Sequence, residues 1–65
     1  MKKLEFRKNA YGKLVSLPVV IYPLRKDGTR YNTPMFINPI GTESSQEEVL
    51  ARIQSQNPNS KFELA

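Results

Sequence analysis

Apolar and polar residues alternate along most of this chain at the two-residue spacing of a β-strand, and only near the end do they follow helical spacing. Lys3-Leu4-Glu5-Phe6-Arg7-Lys8 puts Leu4 and Phe6 on one face of a short first strand. Asn9-Ala10-Tyr11-Gly12 reads as a turn, with Gly12 free to take positive φ. Residues 13–24 predict a long second strand. Its odd positions, Val15, Leu17, Val19 and Ile21, are all apolar and are expected to face the core, whereas Ser16, Pro18, Val20, Tyr22 and Leu24 face the other way. Lys26-Asp27-Gly28 fits a three-residue hairpin loop closed by a left-handed glycine. That loop opposes Arg25 to Thr29, Leu17 to Ile37, Val19 to Met35 and Ile21 to Thr33 in a third strand. A two-residue Asp-Gly turn would instead set Arg25 against Arg30, an unfavourable like-charge pair.

Four prolines interrupt this most apolar stretch: Pro18, Pro23, Pro34 and Pro39. Proline lacks the N–H that a ladder needs, so each must sit where no donor is required. In the preferred register Pro34 and Pro18 point their nitrogens away from the hairpin partner. Pro23 does not, and it predicts a bulge or an early end to the ladder. The prolines as a set are expected to block addition of further strands to a small open sheet.

Asn38-Pro39-Ile40-Gly41 leaves the sheet, and a helix begins at Ser44 or Ser45, each with a glutamate three residues on. Val49, Leu50 and Ile53 form its apolar stripe, Glu48 precedes Arg52 by one helical turn, and Asn57-Pro58 ends it. Lys61-Phe62-Glu63-Leu64 alternates again, as a short fourth strand or an extended tail. The expected fold is a single small basic α+β domain over 1–65, with an antiparallel three-stranded sheet and one helix on one face, in the order β-β-β-α(-β). In layout alone, three strands followed by a helix resemble the small DNA-reading domains at the start of some tyrosine recombinases. No motif accompanies that likeness and no residue role is carried over.

Composition narrows the function. Among 65 residues there is neither Cys nor His, which removes disulfides, thiolate and imidazole metal sites, and the commonest nucleophile and general base. A non-enzymatic protein without metal or cofactor is expected. A domain near the lower size limit often gains its missing burial from a partner subunit. No apolar run spans a bilayer and the basic start lacks the apolar stretch of a signal peptide, so a cytoplasmic location is expected. The small, cysteine-free make-up also suits an accessory protein of a phage or mobile element.

The net charge of +4 is unevenly placed: residues 1–31 carry +6 and residues 32–65 carry −2. Such asymmetry points to an anionic partner for the first half. The leading expectation is nucleic-acid binding through a basic and aromatic sheet face. Lys2, Lys3, Arg7, Lys8 and Lys26 would position phosphates, Tyr22, Arg30 and Tyr31 would supply the face contacts, and Arg25 belongs to the same binding set. The alternative is a protein–protein module, either a homodimer or a small modulator of another protein. It would use the sheet face away from the helix, where Val20, Tyr22, Leu24, Asn32 and Phe36 gather.

Overall fold

The stretch with the densest apolar content, VVIYPL, becomes the one strand paired along both edges. In the computed structural model, which describes Lys2–Ala65, the elements are β1 (Phe6–Lys8), β2 (Leu14–Ser16), β3 (Val19–Leu24), β4 (Met35–Ile37), α1 (Gln46–Gln56) and β5 (Lys61–Leu64). They form an α+β arrangement: an antiparallel sheet in the order β4-β3-β5, a separate two-stranded ribbon of β1 and β2, and one helix packed against β3 and β5. The final segment is thus a true strand. No helix among the described residues is long and apolar enough to cross a membrane.

Two expectations about the strands are corrected. The long strand over 13–24 breaks at Leu17-Pro18, where Pro18 supplies no amide and restrains the residue before it. The sheet edge expected to receive the N-terminal strand receives β5 instead, with Ile21 opposite Leu64 and Leu24 opposite Lys61. As a result Val19 and Ile21 are core residues as the alternation predicts, but Val15 is 39% exposed and Leu17 half-buried. The recombinase-like layout fails at the same point, because one of the sheet's three strands follows the helix.

The β3–β4 hairpin also differs in register. At the loop the expected pairing holds: the Arg25 amide donates to Thr29 (2.7 Å), Gly28 takes φ of +90°, and Leu24 bridges Arg30. Further on, Val19 opposes Ile37 and Ile21 opposes Met35, a shift of two residues. Pro23 explains the slip. Its carbonyl accepts from the Tyr31 amide (3.0 Å), but it has no N–H to return. The ladder is one-sided there, and the chain bends through Asn32 and Thr33 before pairing resumes.

Val19, Ile21, Val49 and Ile53 form the buried core, with Leu4, Met35, Ile37, Leu50, Phe62 and Leu64 packed around it. Ser45 caps the helix by accepting from the Glu48 amide (3.3 Å), and the Glu48 carboxylate accepts from the Ser44 amide (2.6 Å). The N-terminal segment docks on this same end. The Lys2 amide donates to Glu47, and the Gln46 amide donates to the Lys2 carbonyl (2.9 Å). Arg52 does not pair with Glu48; it reaches Glu43 (2.9 Å) and the Asn38 carbonyl (3.0 Å), tying the β4–α1 connection to the helix.

Substitution should tell the two sheet faces apart. Ile21→Ala is expected to cost about 2–5 kcal/mol, a large part of the roughly 3–10 kcal/mol open to a chain this size. Phe36→Ala, on the opposite face, should leave the thermal midpoint nearly unchanged by circular dichroism. Acid should also lower the stability of the fold. The Arg52 guanidinium, and then the Ile40 amide, hold the Glu43 carboxyl below its ordinary 4.5. The Lys2 main-chain amide does the same for Glu47. Their contribution is complete above the unfolded value and fades as pH falls through the lower folded values. The midpoint should drop as pH falls below about 4.5, and Glu43→Gln should flatten part of that drop. A midpoint indifferent to acid would refute both assignments.

Candidate nucleic-acid interface

Asn9 organises the turn of the β1–β2 ribbon. Its side-chain oxygen accepts from the amides of Tyr11 (2.9 Å) and Lys13 (3.1 Å), and Gly12 closes the loop at φ +75°. The ribbon ends where the Leu17 amide donates to the Glu5 carbonyl (2.8 Å). Beyond that point β1 and β2 pair only with each other, and the molecule extends to 44 × 24 × 19 Å. Its radius of gyration of 13.0 Å exceeds the roughly 11 Å expected of a compact chain of this length.

The projecting ribbon carries apolar side chains on both faces. Phe6 is 56% exposed, Leu14 67% and Tyr11 89%. Phe6, Lys8, Leu14 and Ser16 share one face, and Arg7 and Val15 share the other. The ribbon carries Arg7, Lys8 and Lys13 against a single carboxylate in its sequence, Glu5. The ion pairs among the described residues are Arg30–Glu63 and Arg52–Glu43, so these three cations remain available.

The residues expected to contact nucleic acid do not form one patch. Arg7 and Lys8 lie on the ribbon. Lys2 and Lys3 sit at its base, where Lys2 Nζ contacts the Ala65 main-chain oxygen and the Lys3 carbonyl accepts from Gln46 (3.0 Å). Arg25, Lys26, Arg30 and Tyr31 lie at the other end of β3, about 20 Å along the strand.

At that far end both arginines are engaged within the chain. Arg30 lies over the Tyr22 ring (4.6 Å to its centroid) and reaches Glu63 (2.7 Å) and the Leu64 carbonyl (3.1 Å). Arg25 lies over the Tyr31 ring (4.8 Å) and donates to the Arg30 carbonyl (2.6 Å). Lys26 stands free at the turn, across a shallow cleft of about 380 Å³ from Lys61.

The sheet face away from the helix does hold Val20, Tyr22, Leu24 and Phe36, as the alternation predicts. Val20, Tyr22 and Leu24 are half-buried there. Phe36, at 65%, is the strongly exposed apolar residue of this face, and Asn32 is exposed in the bend before β4. Arg30 therefore acts as a cover for Tyr22, and the apolar patch is smaller than the sequence suggests.

Comparison with protein-family models, curated proteins and solved structures finds no match to this chain. The surface must be judged on its own geometry. Sequence reasoning placed the exposed apolar cluster on the main sheet and missed Tyr11, Lys13, Leu14 and Val15. Pro18 was the available signal, since it marks where β2 leaves the core.

Arg30→Gln should lower stability by about 1 kcal/mol in urea unfolding, from the lost stacking and an exposed ion pair. A neutral effect would mean that Arg30 is a free surface cation after all.

Proposed function

We propose that this chain is a non-enzymatic binding module that engages nucleic acid through the β1–β2 ribbon. One observation carries the reading: Arg7, Lys8 and Lys13, none paired to a carboxylate, stand beside exposed Phe6, Tyr11 and Leu14 on an arm that projects from the core. Phosphates would meet the cations, while the aromatic and aliphatic side chains would contact bases. A two-stranded ribbon also has the width that the major groove of a duplex admits.

The helix N-terminus supports the assignment by being a poor competitor for phosphate. Glu47 and Glu48 already accept hydrogen bonds at that end, so its positive dipole is offset. A purely protein-binding role would predict affinity that varies little with salt.

Labelled single- and double-stranded DNA and RNA should be titrated at several salt concentrations. Three phosphate contacts predict a slope of log affinity on log salt of about −2 to −3. Replacing Arg7, Lys8 and Lys13 together by Gln should remove most of that slope and leave the fold intact. Absence of binding to every probe at low salt would end this reading.

A further inference from the structure

We propose that β2 is a dimerisation edge, at which two copies of this chain pair antiparallel about a two-fold axis centred on Val15. The two sheets leave four strand edges open, and they differ in which main-chain groups and charges they present.

Hydrogen-bonding parity identifies which backbone groups point outward. On β4, Met35 and Ile37 face β3, so Phe36 alone offers an outward amide and carbonyl. Pro34 precedes it and Pro39 follows, and the intervening Asn38 carbonyl already accepts from Arg52. On β5, residues 60, 62 and 64 point outward. The Ser60 carbonyl accepts from Gln54 and the Leu64 carbonyl from Arg30, so Phe62 is the one residue of this edge that keeps both outward groups open.

The ribbon has two further edges. Its paired positions are Asn9 with Lys13 and Glu5 with Leu17, so Arg7 and Val15 also face inward, toward each other. Phe6 and Lys8 are the outward groups of β1, and Leu14 and Ser16 those of β2. A two-fold axis on β1 would set Arg7 directly against its copy, a like-charge opposition. An axis on β2 sets Val15 against its copy and Leu14 against Ser16, with no charge in the contact. β2 is thus the uncharged, uncapped edge, and Leu14 and Val15 on it are exposed.

Pairing there would add about four inter-chain hydrogen bonds, two from each Leu14–Ser16 pair. The ribbons would join into a four-stranded sheet. One face would carry Phe6 and Leu14 from both copies, and the other would carry the two valines flanked by the two Arg7 side chains. Pro18 ends the ladder, because its position points outward and has no N–H. This proposal does not depend on nucleic-acid binding and is tested without it.

Sedimentation of the chain alone should show an average mass rising from 7.5 kDa toward twice that value with concentration. Val15→Lys places like charges on the axis and should hold the protein at 7.5 kDa with an unchanged circular dichroism spectrum. The chain has no cysteine, so Val15→Cys offers a direct probe. Its two sulfurs would lie in a non-hydrogen-bonded pair with Cα atoms about 4.5 Å apart, within disulfide reach. Val15→Cys should oxidise to a covalent dimer far faster than Phe36→Cys. A wild-type chain that stays monomeric at every concentration would overturn the proposal. So would faster cross-linking by Phe36→Cys, which would move the interface to the main sheet face. Should Val15→Lys fail to fold, the comparison of the two cysteine variants decides the matter.

Discussion

The structure depends on β3 being held from three directions. β4 and β5 pair with its edges, and Val49 and Ile53 of α1 cover Val19 and Ile21 on one face. Four buried apolar side chains among the described residues are a small core, even for a chain of 65. The three-turn helix would not persist in isolation, and neither would a single hairpin of this length. β4, β5 and α1 are therefore stable because β3 is in place. Even the N-terminal segment follows the rule, since Lys2 and Lys3 attach to the start of α1 and lead Leu4 into the core margin.

This dependence changes how the charge of the chain should be understood. Several cations serve the fold. Arg52 fastens the β4–α1 connection through Glu43 and Asn38, and Arg30 crosses the open sheet face from Tyr22 to Glu63 and Leu64. Arg25 packs on Tyr31 and closes the hairpin loop. A guanidinium can do this because its plane stacks on a ring while its edge donates several hydrogen bonds. Lysines dominate what remains free, on the ribbon and at the β3–β4 turn. The basic half of the chain thus divides into structural arginines and exposed cations, a division that net charge does not reveal.

The fold class was legible because strand alternation and helix capping are local signals. Both glycine turns and a helix cap at Ser44 or Ser45, of which Ser45 forms it, follow from residue spacing, and so do Val19, Ile21, Val49 and Ile53 within the wider inward set that also named Val15, Leu17 and Leu50. Pairing across long sequence separation was not legible. Nothing local decides whether the Phe6 strand or the Phe62 strand joins β3, because each offers a short alternation of similar strength. Proline carried more information than the sequence reading drew from it. Pro23 marked the register slip, as one of its two expected outcomes, whereas Pro18 marked the end of a strand that the alternation alone carries through. The candidate site moved with that boundary, from the main sheet face to the ribbon.

The ribbon has no apolar layer against either face, and two strands with exposed Phe6, Leu14 and Val15 are marginal in water. What holds it locally is its turn, built on Asn9 and Gly12, and the ladder to Glu5 and Leu17. A partner that covers those side chains would therefore order the arm as well as bind it, and part of the contact energy would go into that ordering. The two proposed partners make different demands. A second copy needs the β2 edge, through the main-chain groups of Leu14 and Ser16. Nucleic acid needs the side chains of the faces, through Arg7, Lys8 and Phe6. Edges and faces are perpendicular, so edge pairing leaves the side chains of the faces uncovered. Four joined strands are wider than the two-stranded ribbon that a major groove admits, so a paired arm would meet nucleic acid across its broad cationic face, and only the single ribbon would fit a groove.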